Sequence, residues 1–406
     1  GFLNLSSTGV AVGRRQIHYA WVIVAIAATM GFVTSSVRFA AAALVPFLSS
    51  ASGFGWSYAA ISLAFSIQWL VLGIMSPYVG WLGDRYGTRR LLLLGAILFI
   101  AGMLLTGTMT KLWQFYLYFG VLLGIASTIF TVLLVSSVTL WFRRYLGVAM
   151  GAVWSFQGLG TMAFIFLIGA AFNDLGIKWI FWLPGIVGGA LILLLIRFFY
   201  NEPADIGLRQ WGAPDDEPIR SMQNNEVAKV RTHVFLKQAQ KTNAFWNLVG
   251  IHFWGCAGHN IILILLVAMM TFNGHSKGVA VAVFITLMVV STITRFAAPV
   301  LADRFGSKVV MIFVFSAQTF PLLLLIVSQE LSAYFTFAVL FGIGMGGEMT
   351  AFPIINRQYY GDAPTATTYG WQMAGAGIGM AIGPVLGGFL KDWTDTYVWS
   401  LWLSFG

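Results

Sequence analysis

Arg38, Arg295, Glu348, His252 and His259 all fall inside long apolar runs. A guanidinium is a permanent cation whose planar fork matches a carboxylate. Carboxyl and imidazole groups are the side chains best suited to taking up and releasing a proton. Placing any of them near a bilayer centre costs at least about 2.5 to 3.5 kcal/mol, so each should face a cavity or a partner. Two arginines against one acid leave an excess of positive charge, and the expected ligand is a small anion held by Arg38 and Arg295. Glu348 and His259 are the expected proton-coupling groups. His259, Asn260, Gln157 and Gln372 are the expected polar lining, with Gln68 a further mid-span amide. Other readings stand beside these. Arg38 lies about 10 residues, or ~15 Å, before the outer end of its run and can reach outward to headgroups. Arg295 can pair with a helix end or a carboxylate. Glu348 is either protonated and hydrogen-bonded or charged and paired with an arginine. The histidines and amides can be packing residues that bond between helices.

The surroundings of these residues explain why they need such roles. The 406-residue chain is 58% hydrophobic and 9% charged with mean hydropathy +0.82, more apolar surface than a soluble domain of this size can bury. Spans are expected near 19–48, 57–80, 89–108, 112–141, 146–172 and 177–200. Six more follow near 244–272, 278–301, 309–328, 331–356, 367–390 and from 396 to the end. The last stretch has 11 residues, too short to cross, which predicts that this sequence stops inside a twelfth helix. Pro46, Pro77, Pro184, Pro299, Pro321 and Pro384 fall within or at the ends of spans, where neighbouring helices can satisfy the freed carbonyls. Gly-rich runs such as Gly342–Gly347 and Gly375–Gly379 permit close helix packing. The single cysteine, Cys256, excludes an internal disulfide and a cysteine metal cluster. The first dozen residues have no basic segment ahead of an apolar core and are not expected to be a signal peptide.

The net charge of +9 is distributed by topology rather than gathered into a nucleic-acid patch. Arg14, Arg15, Arg85, Arg89, Arg90, Arg143, Arg144, the basic residues between 197 and 241, Arg304, Lys308 and Arg357 fall on one side, 17 in all. Only Lys111, Lys178, Lys277 and Lys391 fall on the other. The positive-inside rule then makes both termini and the middle segment cytoplasmic. That segment, 201–243, carries Pro203, Pro214, Pro218 and the acidic run 215–217, and reads as a linker. Its end, Val230 to Phe245, is expected to lie as a surface helix at the interface.

A charged turn, Gly80-Trp-Leu-Gly-Asp-Arg-Tyr-Gly-Thr-Arg-Arg90, separates spans 2 and 3, and Pro299-Val-Leu-Ala-Asp-Arg-Phe-Gly-Ser-Lys308 repeats it between spans 8 and 9. Matching turns in two six-helix halves mark a parallel repeat, with the substrate between the halves near the midplane. Here the chain resembles the major facilitator superfamily, whose signature matches Gly80 to Arg90. The resemblance implies an all-α membrane protein with 12 transmembrane helices in two six-helix bundles, 1–200 and 244–406, joined by the linker 201–243. It also implies a conformational gate at Gly80, Asp84, Arg85, Gly87 and Arg89, echoed by Asp303 and Arg304. In the family the Asp pairs with basic residues and helix ends across the halves and helps hold the outward-facing state.

A narrower similarity concerns cargo. Gly31-Phe-Val-Thr-Ser-Ser-Val-Arg38, Gly55-Trp-Ser57 and Thr242-Asn-Ala-Phe-Trp246 resemble the monocarboxylate transporters and the oxalate/formate antiporters. In both groups an Arg stands eight residues before the second charged turn, as Arg295 does, which implies a grip on a small carboxylate. Ser291 stands where the monocarboxylate transporters carry an Asp, and Tyr369–Ala376 lacks the lysine of the oxalate exchangers. Glu348, with His259, is therefore the expected coupling site. The reading is a proton-coupled carrier of mono- or dicarboxylates working by alternating access, monomeric, without cofactor or metal, in a bacterial inner membrane. Anion exchange, a proton-driven drug or sugar exporter, and a nontransporting metabolite sensor are the alternatives. Enzyme chemistry has no nucleophile with its base, no metal-spaced histidines and no phosphate loop to support it.

Overall fold

The computed structural model describes residues 5, 6, 9–12, 15–39, 41–49, 53–222, 226–361, 363 and 366–406. Arg14, counted in the charge balance, lies outside them. Among the described residues, eleven helices are long and apolar enough to cross a membrane. The N-terminal six spans are Tyr19–Phe39, Tyr58–Tyr86, Thr88–Gly107, Leu112–Trp141, Leu146–Ile168 and Asp174–Ile196. The C-terminal ones are Asn243–Phe272, Lys277–Phe305, Ser307–Val327, Leu331–Glu348 and Ala366–Thr394. An eight-residue helix, Val398–Phe405, stands in the twelfth position. A three-stranded antiparallel meander, Leu5–Ser6, Gly9–Val12 and Arg15–Ile17, precedes the first span and was not foreseen in an all-α reading.

Local chemistry starts the helices where the halves correspond. The hydroxyl of Ser57 accepts from Ala60 N at the head of span 2, and that of Ser276 accepts from Val279 N at the head of span 8. At their far ends the two charged turns use a glycine with positive φ, Gly87 at 85° and Gly306 at 92°, so that spans 3 and 9 begin one residue later.

Several expected spans break. The ninth divides at Phe320 before Pro321, while Ala41–Ser49, the later part of the first, is helical as well. The tenth stops at Glu348, and Phe352–Tyr360 starts afresh with Pro353 in its first turn. Part of span 4, Tyr116–Leu122, is π-helical. Phe245 belongs to span 7, whose N-cap is Thr242; the linker's own helix is Glu226–Ala239.

The linker is less free than its composition suggests. Trp211 N donates to Trp141 O at 2.8 Å, Arg143 N donates back to Trp211 O at 2.9 Å, and Glu202 accepts from Ser221 Oγ at 2.7 Å. Its later helix reaches the opposite half through the Phe235 and Tyr360 rings, 5.2 Å apart.

Between the halves, span 2 packs against span 11 and span 5 against span 8. Backbone meets backbone along both seams: a Cβ at Gly80 would overlap Ala366 O, and one at Gly147 would overlap Pro299 O. The glycine contacts across the halves run from the charged turns to mid-span, at Gly73 with Gly377 and Gly158 with Thr292. A large apolar core accordingly takes residues from both halves, and a second core lies within the C-terminal half around Leu287, Tyr334 and Phe341.

Candidate functional site

Arg38 stands near the end of Tyr19–Phe39, and its side chain turns inward rather than toward headgroups. Only 4% of it is exposed. The guanidinium lies 5.1 Å from the centroid of the Trp69 ring, and Nη2 donates to Gly124 O over 3.4 Å. Its Nε has no partner. Carbonyls of span 4 supply the acceptors nearby, Phe119 O within its π-helical stretch and Gly124 O in the α-helix just beyond. Gln68 Nε2 takes Phe119 O at 3.0 Å, while Gly124 O serves both Arg38 and Thr128. A buried cation thus stands among a ring face and carbonyl dipoles.

Arg295 is half-buried on span 8 at the meeting of the halves. It lines a cleft of about 10 Å³ with Trp154 of span 5 and Met345, Gly346, Met349 and Thr350 at the end of span 10. That is about the room of one water molecule, so the halves are drawn together here. Arg38 lies over Trp69, and Arg295 shares its cleft with Trp154: each arginine has a tryptophan beside it.

Glu348 does not pair with either arginine. Its Oε2 lies 2.6 Å from His259 Nδ1, with the histidine 2% and the glutamate 0% exposed. One proton shared on this contact makes it a hydrogen bond whichever group owns it. The other oxygen, Oε1, has no hydrogen-bond partner and lies over Gly255, where a Cβ would collide with it. The helix break right after Glu348 lets the carboxyl turn from the cleft of Arg295 toward span 7. Cys256 Sγ completes a buried group whose ligand-type atoms lie within 4.8 Å of one another. This arrangement can hold and release a proton in a dry setting; the thiol, imidazole and carboxylate are also of the type that binds a soft divalent cation.

The amides serve as helix ties. Asn260 Nδ2 donates to Met380 O at 2.6 Å, joining spans 7 and 11. Gln372 and Asn356 exchange reciprocal bonds of 2.7 and 3.0 Å. Gln157, 2% exposed, packs on Gly31 and joins spans 5 and 1. None of these bonds brings an amide to an arginine.

The gate residues divide. Asp84 Oδ2 accepts from Thr367 N at 3.0 Å and Thr367 Oγ1 at 2.5 Å, across the halves at the N-terminus of span 11. Asp303 Oδ2 accepts from Gly147 N at 3.2 Å, at the N-terminus of span 5. Each carboxylate therefore caps the first turn of a helix in the other half, where free N–H groups and the helix dipole favour an anion. The arginines do not join these contacts. Arg85 lies over Trp81 and Tyr86, at 5.3 and 5.6 Å from the ring centroids. Arg89 takes Asn201 Oδ1 through its backbone at 2.8 Å and Arg197 O through Nη2 at 3.4 Å, binding the end of span 6 within its own half. Arg304 is exposed.

Sequence reading missed two participants. Arg357, counted only as a topological charge, donates through Nη2 to Thr139 O at 2.6 Å and to Phe142 O, placing a cation at the C-terminus of span 4 across the halves. Its place after span 10, equivalent to Arg143 and Arg144 after span 4, was the available signal. The second is the break after Glu348, signalled by Pro353.

The Major Facilitator Superfamily model matches residues 27–299 and 248–406. Among curated proteins, the chain is 24% identical over 321 residues to the uncharacterized MFS-type transporter YhjX of Escherichia coli (strain K12), covering 79% of this chain and 76% of that one. It is 25% identical over 353 residues to the oxalate:formate antiporter of Oxalobacter formigenes, covering 81% and 77%. Of solved structures, the proton:xylose symporter XylE bound to 6-bromo-6-deoxy-D-glucose superposes with a TM-score of 0.73 at 14% identity, over 95% of this chain and 93% of that one. FucP in the outward conformation gives 0.64 at 14% identity, over 95% and 96%. Repeated charged turns, helices capped across the halves and these matches agree: the chain is a multi-pass membrane transporter, not an enzyme, and it belongs to the Major Facilitator Superfamily.

Proposed function

We propose that this protein moves small carboxylates across a cell membrane by alternating access, with proton symport coupled at Glu348 and His259. Arg38 carries the reading. A guanidinium that is 4% exposed, with Nε unpartnered and no carboxylate among its bonds, is stabilised most by an anion brought from outside. Arg295, in the cleft between the halves, is the second grip, so that the anion would bridge the two bundles. The relative that exchanges oxalate for formate supports the carboxylate class. The buried His259–Glu348 contact favours symport over simple exchange, since a carboxyl that binds a proton as the anion arrives offsets the charge moved. The Lys and Arg counts support a cytoplasmic position for the charged-turn side.

Thermal stabilisation of the purified protein by oxalate, formate and a neutral sugar tests the reading. Carboxylates should raise the unfolding temperature of the wild type, and Arg38→Gln should abolish that rise. Stabilisation by xylose or fucose, with none by carboxylates, overturns it.

A further inference from the structure

His252 is buried to 0% exposure, its ring stacked on Phe352 at 3.9 Å and 12°, and neither ring nitrogen has a hydrogen-bond partner. A histidine with both nitrogens orphaned in a dry interior is costly, and such groups call for an explanation. The positions supply one. His252, Cys256 and His259 are spaced i, i+4 and i+7, a single stripe on span 7. Two turns place His252 about 10 Å from His259 along the axis, toward the end where span 7 leaves the linker. Cys256 lies between them. Beyond His252, toward the same end, the backbone of Gln372 faces its ring, and Gln372 is bonded to Asn356. The titratable groups around the stripe are Glu348 from span 10, Cys256 and His259 from span 7, and Tyr369 from span 11, whose hydroxyl is also unpartnered.

We propose that His252 relays the proton between the His259–Glu348 pair and the charged-turn face of the protein; the proposal rests on the proton-coupled reading above. A proton arrives at one ring nitrogen as another leaves the second, so the imidazole ends neutral in the inverse tautomer and no other bond changes. Water that enters when the halves part at the charged turns would bridge one ring nitrogen to the His259–Glu348 pair and the other to the charged-turn face. Phe352 holds the ring in line while offering no competing acceptor.

Proteoliposomes loaded and assayed with radiolabelled oxalate separate the two steps. Exchange of internal for external oxalate needs no net proton transfer, whereas accumulation driven by an imposed pH gradient does. His252→Phe, which keeps the stack on Phe352, should retain exchange within about twofold and lose gradient-driven accumulation by tenfold or more. Its unfolding temperature should match the wild type; if it does not, His252→Gln is read instead. Accumulation at the wild-type level in the variant overturns the relay, and so does an equal loss of exchange and accumulation, which marks a packing role. Wild-type protein that exchanges oxalate but ignores the pH gradient overturns the proton-coupled reading itself, and the relay with it.

Discussion

The two charged turns share a sequence pattern and a geometry, yet they are not equally buried. Asp84 is 7% exposed and takes two hydrogen bonds from Thr367, whereas Asp303 is exposed and takes one, from Gly147 N. The difference follows from what surrounds each. On the first seam the opposing residue brings a hydroxyl as well as a backbone N–H. On the second the opposing residue is a glycine with no side chain to add. A single motif thus yields a closer contact on one seam and a lighter one on the other, and if these contacts act as latches the halves should part first between spans 5 and 8.

The largest effect expected from breaking that asymmetry is at Asp84. Asp84→Ala leaves the buried Thr367 N–H and hydroxyl without an acceptor, a loss of about 1 to 3 kcal/mol. Spin labels at the exposed Tyr86 and Tyr359 should report a longer distance population in the variant, and unchanged populations would remove Asp84 as a latch. Arg357 comes next. Arg357→Gln deletes a cation at the C-terminus of span 4, worth on the order of 1 kcal/mol, and should shift the same populations in the same direction by less. Asp303→Asn should move them least of the three, by about 0.5 kcal/mol, because solvent replaces the lost bond. If Asp303→Asn matched Asp84→Ala, burial would not be what separates the turns.

Much of this was legible beforehand because it is written in hydropathy and charge. Long apolar runs read as spans, and an Asp at the same place in two charged turns reads as a repeat. Less legible was where each charge points. Arg85 and Arg89 share the motif with Asp84 but serve aromatic rings and the end of span 6, since direction depends on helix rotation, which spacing alone does not fix. Asn260 and Gln372, expected around an anion, also bond to other helical segments, and Gln157 packs on Gly31, contacts that spacing alone does not reveal. Arg38 was ambiguous for the same reason: whether it reaches outward or inward turns on the rotation of span 1.

The comparison extends inward to the His259–Glu348 pair, which lies in the C-terminal half. Gly255 permits it: Glu348 Oε1 occupies the space where any other residue would carry Cβ. Gly255→Ala should therefore displace the carboxyl from His259 while leaving Arg38 untouched. Oxalate would still stabilise the variant against heat, and gradient-driven accumulation would fall as far as in Glu348→Gln. A variant that loses stabilisation together with accumulation would show that the proton site and the anion site are one. The geometry argues against that outcome, because the break after Glu348 turns its carboxyl away from the cleft of Arg295 and toward span 7.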